Sequence, residues 1–531
     1  MAIPCKNLIA GRWVEAQGGE TFESINPARF EEVVAVAPRS RSTDVDTAVA
    51  AARKALPAWR HTPAPRRGEI LFRAGELLLQ QKQALARLMT REMGKVLEEA
   101  LGDVQEAIDM AYYMAGEGRR LSGETVPAEL ADKDCKSVRV PVGAFAVITP
   151  WNFPVAIPGW KILAALVCGN TVVFKPSSYT PLCAQGFVES LQTAGFPPGV
   201  VNLIHGTGPE VGHPLVNHAG VDGVSFTGSW GVGHEVIKAC AHHHKVFTTE
   251  MGGKNAIIVL DDADIDLAVD GILWGAFGTT GQRCTATSRL VVQEGIHDIL
   301  VARVRDAVAA LRIGNGLDPR TQVGPLINEG QLNKVLNYIR IGKEEGARLV
   351  VGGGRYTEGD CRLGYFVEPT VFVDVTPRMR IAREEIFGPV LSVIRVRDLD
   401  EAIQVVNDSD YGLSSAIYTR DVNATARAER DLDTGIVYIN ASTIGAEIQL
   451  PFGGTKHTGL GPREAGGRGG ALDLYSKWKV IYRDFSGKLQ RAQVDRSPVA
   501  GETTGEQACK ERAEGADPRC GRTFRLHPLD R

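Results

Sequence analysis

The chain has 531 residues, with 60 basic and 63 acidic side chains and a formal net charge of −3. Hydrophobic residues at 44% and charged residues at 23% describe a globular chain with a large core, too long for one ordinary domain. The near-balance of charge excludes a broad field for nucleic acid or anionic lipid, and no apolar run of about eighteen residues predicts a membrane-spanning helix.

The N-terminus, Met1 to Lys6, lacks the basic-then-apolar pattern of a signal peptide. Nine scattered cysteines without a Cys-x-x-Cys pair argue against a disulfide framework or structural zinc. The expected location is the reducing cytoplasm. From about 44 to 122 the texture is helical, with long stretches from Gly68 to Met93 and Leu97 to Ala115, and Asp44 marks a helix start. From about 137, strands are expected at Val138 to Thr149, Thr171 to Phe174, Val200 to Ile204, Gly223 to Phe226, Val246 to Thr249 and Asn255 to Leu260. Helices are expected between them near 159–168, 181–194, 208–217 and 231–241. This alternation predicts a parallel, doubly wound sheet. A second alternating region runs from Asp264 to about 450, with strands at Arg289 to Val292, Arg348 to Val351, Pro369 to Val373 and Leu391 to Val396. The expected fold is α/β, two doubly wound α/β domains in series with a boundary around 253–263. From about Gly487 the chain turns polar and carries Cys509 and Cys520. That segment reads either as a disordered tail or as an arm ordered against a neighbouring subunit.

Three short segments carry chemistry. Gly281-Gln282-Arg283-Cys284-Thr285-Ala286 sets a cysteine after a glycine-rich, nearly uncharged run. A lone cysteine is ordinarily an inert core residue, and becomes a nucleophile only with access, a lowered pKa or a nearby base. Arg283 would place positive charge beside it. Val246-Phe247-Thr248-Thr249-Glu250-Met251-Gly252-Gly253 ends a β-like run in a carboxylate, and Thr149-Pro150-Trp151-Asn152-Phe153-Pro154 offers an amide between two prolines. Thiol, carboxylate and amide are the groups needed to attack a carbonyl, activate water and hold an oxyanion.

These segments, with Phe174-Lys175-Pro176-Ser177, Phe226-Thr227-Gly228-Ser229, Glu384 to Val390 and Leu450 to Gly454, resemble in their order the aldehyde dehydrogenase superfamily over roughly residues 7 to 485. The resemblance implies NAD(P)-dependent oxidation of an aldehyde to a carboxylic acid through a thioester. Cys284 would be the nucleophile, Asn152 and the Cys284 backbone N–H the oxyanion donors, and Glu250 the base that activates water. No metal is needed. The implied layout is a Rossmann-like cofactor-binding domain (1–123 and 142–253), a catalytic domain (254–452), a small β oligomerisation arm (124–141 and 471–486) and a C-terminal tail (487–531). A homodimer or homotetramer is implied, and the tail is expected to reach a neighbouring subunit.

The usual Gly-x-Gly-x-x-Gly fingerprint is missing after the first parallel strand, and Gly206-Thr207-Gly208 is the nearest approach. The resemblance instead assigns Gly228, Ser229 and Gly233 to a pyrophosphate-binding helix start. It puts Trp151 beside the pyrophosphate, Lys175 on the adenosine ribose, and Glu385 and Phe387 at the nicotinamide end. At position 178, where NAD-preferring relatives often carry an acidic residue, this chain has Ser178. The missing repulsion leaves NADP as well as NAD usable. On the substrate side the chain is most similar to the semialdehyde branch that includes aminoadipic semialdehyde dehydrogenases. That similarity implies substrate contacts at Glu106 and Arg283, with Gly445 and Ala446 in the loop that anchors a carboxylate. A broad-range aldehyde, a carboxylated semialdehyde, a CoA-acylating reaction and a catalytically silent protein of the same fold are the readings the sequence leaves. Glu250 disfavours the CoA route, and the trio Cys284, Glu250 and Asn152 disfavours the silent one. The run His242-His243-His244 reads as a solvated helix end, because adjacent helical residues point in different directions.

Overall fold

The computed structural model describes residues 2–494 and divides into two units, Met1–Leu121 with Val140–Lys477, and Ser122–Arg139 with Trp478–Arg531. The larger unit holds two sheets. The first has eight strands in the spatial order Gly459–Leu460, Val246–Glu250, Gly223–Thr227, Ala144–Ile148, Thr171–Lys175, Val201–Leu203, Asn7–Ile9 and Arg12–Val14. The five central strands run parallel, and antiparallel pairs close both edges. The second has seven strands in the order Arg348–Val351, Thr370–Val373, Val390–Val396, Thr287–Gln293, Asn255–Val259, Ser414–Tyr418 and Ile436–Ile439, parallel except for the first. The chain passes from one sheet to the other between Glu250 and Asn255. It returns when Gly459 pairs with Glu250 and Leu460 with Thr249.

Register decides where the chemistry sits. Thr227 lies beside Glu250 and Ile148 beside Lys175, so these residues share the carboxyl ends of the parallel strands. In open parallel sheets that end is where ligands bind. Among the described residues no helix is long and apolar enough to cross a membrane.

Several elements depart from the sequence expectation for local reasons. The helical stretch from 44 to 122 is three helices, Ser42–His61, Ala64–Met93 and Leu97–Glu117. Asp44 is not the first residue but the third helical position, where its carboxylate accepts the Arg41 N–H at 2.9 Å as in a capping box. The expected strand Val138 to Thr149 is two strands, Lys133–Pro141 and Ala144–Ile148. Gly143 divides them at φ +153°, with the Asp222 carboxylate in the space a side chain would need. The segment 208–217 starts as a π turn, Gly208–Gly212, before the short helix His213–Asn217. The smaller unit is a three-stranded sheet in the order Ser476–Asp484, Lys133–Pro141, Glu124–Val126. Most of the polar tail, with Cys509 and Cys520, lies outside the described residues.

Candidate active site

The helix Ala156–Val167 is buried along its whole length and packs against the strands Ala144–Ile148 and Thr171–Lys175 of the first sheet. Just before it, the turn after strand Ala144–Ile148 places Asn152, buried, with Nδ2 donating to the Gln282 carbonyl at 3.1 Å. An amide has two N–H bonds, so one remains in the cleft wall that Asn152 shares with Cys284.

Cys284 is half-buried and follows a bent segment. Thr279 and Thr280 have φ +50° and +57°, a left-handed region that costs a β-branched residue about 1–3 kcal/mol. The Cys284 carbonyl accepts Asn255 Nδ2 at 2.7 Å. Burial first, and then the charges of Glu250 and Glu385, push the thiol up to about 12. The positive charge expected from Arg283 is directed elsewhere. Its guanidinium pairs with Glu99 at 3.3 Å and lies over the rings of Phe153 and Trp274, 5.3 and 5.0 Å from their centroids.

Glu250 ends its strand buried, with its carboxylate turned toward Gly453, Gly454 and Gly459. A Cβ on Gly453, whose φ is +154°, would stand 2.4 Å from Glu250 Oε1. Glu250 Oε2 has no hydrogen-bond partner. Burial and then the neighbouring Glu464 raise the Glu250 pKa well above the usual carboxylate range, against the pull of Lys161 and Arg463. Lys161 and Glu464 form a buried ion pair, and Lys161 also donates to Ser225 Oγ at 3.0 Å. Neither was singled out in the sequence. A lysine inside the apolar run Ala156–Val167 was the available signal.

Two cavities meet at the cysteine. One, about 870 Å³, is lined by Trp151, Asn152, Gly228, Ser229, Cys284, Lys334, Glu385 and Phe387 among others. Trp151 and Phe387 make an edge contact, centroids 5.6 Å apart. Gln331 Nε2 donates to the carbonyls of Ile386 and Phe387 and so fixes that loop. Glu385 accepts the Gly253 N–H at 3.0 Å, and burial raises its pKa. Ser229 immediately precedes the helix Trp230–His242 without a side-chain capping hydrogen bond, and Gly233 of that helix packs against Met251. Gln331 and Lys334 are further additions to the sequence reading. Lys175 does not enter this cavity. It is buried, donates to the Pro176 carbonyl at 2.8 Å, and has its pKa lowered by burial to about 8. Its stem packs on Gly212, which lines a third and mostly apolar cavity of about 1500 Å³ with Pro209, Val232 and Val236. Ser178 is half-buried in the turn after Lys175.

The other cavity at Cys284, about 600 Å³, has the expected substrate residues Glu106, Arg283, Gly445 and Ala446 in its wall, together with Trp160, Glu250, Phe452 and Glu464. Arg283 is the one basic side chain among its lining residues. Burial, then Asp103, raise the Glu106 pKa to about 8, with Arg283 and Lys95 opposing. Ile157, Thr227, Met251 and Cys284 line both cavities.

Comparison with known proteins matches residues 13–481 to the aldehyde dehydrogenase family model. The chain is 44% identical over 487 residues to alpha-ketoglutarate semialdehyde dehydrogenase of Haloferax volcanii, covering 91% of this chain and 100% of that protein. It is 41% identical over 476 residues to alpha-ketoglutaric semialdehyde dehydrogenase of Bacillus subtilis, covering 90% and 97%. Among solved structures, betaine aldehyde dehydrogenase from Staphylococcus aureus in complex with NAD+ superposes with a TM-score of 0.88 at 38% identity, covering 91% of this chain and 95% of the other.

Proposed function

The chain belongs to the aldehyde dehydrogenase family, and from that premise we propose that it oxidises a carboxylated semialdehyde to the acid with NAD(P)+, using Cys284, Glu250 and Asn152. The observation that carries this reading is the position of Cys284 at the meeting of two cavities, with Glu250 in the wall of one and Asn152 in the wall of the other. The substrate class is supported by Arg283 as the one basic lining residue and by the two relatives named above, both semialdehyde dehydrogenases.

The larger cavity at Cys284 suits a dinucleotide. The helix N-terminus that follows Gly228 and Ser229 opens into it, with no side chain capping its backbone donors for a pyrophosphate, and the Thr227 hydroxyl on its wall has no protein partner. Trp151, Gly228, Ser229, Gly233, Glu385 and Phe387 would hold the pyrophosphate and nicotinamide end. Lys175 and Ser178 would meet the adenosine ribose, and Pro209 and Val232 would face the adenine. The bound dinucleotide supplies the hydride acceptor. The chain's own work begins with a thiol that burial keeps protonated. That proton passes to solvent in the cavity as sulfur adds to the aldehyde carbon, which leaves the Glu250 carboxylate free for the later step. The free Asn152 N–H and the Cys284 backbone N–H then hold the oxyanion, each donor worth about 10²–10³ in rate. After hydride loss Glu250 activates water on the thioester, and the Lys161–Glu464 pair carries the proton away. In this reading residues 1–123 with 142–253 bind the dinucleotide and 254–452 carry the nucleophile. The small sheet, with exposed Val126, Val480 and Tyr482, joins subunits into a homodimer or homotetramer in the cytoplasm.

Glu106 sets a pH limit on an anionic substrate. It faces Arg283, Lys95, Asp103 and Asp109, is neutral below about 8, and above that adds a negative charge beside the substrate carboxylate. For 4-oxobutanoate, kcat/KM is therefore expected to fall as pH rises through about 8, with Glu106→Gln abolishing the fall and pentanal not showing it. Steady-state rates from pH 6.5 to 9.5 with product analysis test this. Equal kcat/KM for pentanal and 4-oxobutanoate at pH 7, or release of an acyl-CoA in place of the free acid, would overturn the proposed function. Cofactor choice has its own test. Ser178→Glu should lower kcat/KM for NADP+ by about 10-fold or more, a penalty of about 1.4 kcal/mol or more, while moving the NAD+ value less. A wild-type preference for NAD+ above about 10³ would remove the basis for dual use.

A further inference from the structure

The helix Leu97–Glu117 carries in its first turn a carboxylate, Glu99, whose side chain is 2% exposed. Both of its oxygens accept the backbone N–H of Thr279, at 2.8 and 2.9 Å. Oε2 also accepts the Thr279 hydroxyl at 3.0 Å, and Oε1 accepts Arg283 Nη2 at 3.3 Å. The Thr279 hydroxyl oxygen in turn accepts Arg283 Nε at 2.9 Å. One carboxylate thus reaches 180 residues along the chain to the left-handed turn and to the cation that immediately precedes the nucleophile. A β-branched pair stays in that region only where its surroundings over-determine it. Without Glu99 the buried Thr279 N–H would lack a partner, and Arg283 would lose its counter-charge.

We propose that Glu99 is a positioning residue for the reaction: it holds the Thr279–Thr280 turn in its left-handed form and fixes the Arg283 guanidinium, setting both the approach of Cys284 and the point where a substrate carboxylate is met. Only the second half rests on the reading that Arg283 faces an anionic tail. The two halves separate chemically. In Glu99→Gln the side-chain carbonyl still accepts from Thr279, but the amide gives Arg283 no counter-charge. In Glu99→Leu both are lost.

The experiment combines turnover with alkylation of Cys284, followed by peptide mapping, using anionic iodoacetate and neutral iodoacetamide. The Glu99→Gln variant is expected to raise KM for 4-oxobutanoate about tenfold, to lower kcat/KM for pentanal less than about threefold, and to lower the iodoacetate-to-iodoacetamide rate ratio at least about fivefold. The Glu99→Leu variant should cut kcat for both aldehydes by about 30-fold or more and change the iodoacetamide rate itself. A Glu99→Gln enzyme with wild-type KM and ratio overturns the role toward Arg283. So does an equal loss on both aldehydes with an unchanged ratio, the result a purely structural residue would give. Should the wild type show no preference for the carboxylated aldehyde, the substrate reading falls by itself. The turn is then judged by Glu99→Leu, and an unchanged iodoacetamide rate there overturns it.

Discussion

Glu250→Gln is expected to lower steady-state kcat by about 10²–10⁴-fold, while a stoichiometric burst of reduced dinucleotide survives in the first turnover. The amide keeps the size of the side chain between Gly453 and Gly459 but cannot take a proton from water, so acyl-enzyme accumulates. Cys284→Ala should show no burst, because no thioester forms. Rapid-quench kinetics with mass spectrometry of the acylated peptide decides between the steps. Loss of the burst together with turnover would place Glu250 in thiol activation alone. Full activity of the variant would remove it from the cycle. The geometry leads one to expect a demanding first deprotonation, since burial holds the thiol near 12 and the charge of Glu250 pushes it in the same direction.

Lys161→Met is expected to destabilise the protein by about 3–5 kcal/mol, because it leaves the Glu464 carboxylate buried without its cation. Both side chains are nearly inaccessible, at 0% and 5% exposure. Burial lowers the Lys161 pKa and raises that of Glu464, each against the attraction of its partner. Replacing both, with Lys161→Met and Glu464→Leu, should recover most of the stability, as apolar pairs commonly do in place of buried ions. It should not recover kcat, because Glu250 then has no partner to receive its proton. Urea denaturation at fixed protein concentration, read beside steady-state rates, separates the outcomes. A double variant that regains full turnover would show the pair to be structural only.

What the sequence makes legible here follows the range of the interactions. Cys284, Glu250 and Asn152 stand in short segments whose glycines, prolines and strand end speak locally, and the structure brings all three to the same pair of cavities. The central parallel strands are legible because they are five residues long, rich in β-branched and aromatic side chains, and fully buried. The strands Ile3–Pro4, Asn7–Ile9 and Arg12–Val14 are too short to show any period. The contacts that tune the site are not local. Glu99 reaches Thr279 across 180 positions and Lys161 reaches Glu464 across 303. Arg283 illustrates the difference. Its neighbour in sequence is the thiol, yet its partner in space is Glu99. Proximity along the chain suggests a charge beside the thiol, whereas the resemblance places Arg283 on the substrate side, and the fold puts it in the wall of that cavity.

The two cavities share only Ile157, Thr227, Met251 and Cys284, and this narrow contact makes the enzyme divisible in an evolutionary sense. On the proposed assignment of the cavities, Trp160, Phe452 or the 445–446 loop can drift to admit a longer or bulkier aldehyde without touching the walls assigned to the dinucleotide. On the same proposal, a change at Ser178 would exchange one dinucleotide for another without retuning aldehyde choice. Diversification along the two axes can proceed independently, with the sulfur as the fixed pivot between them.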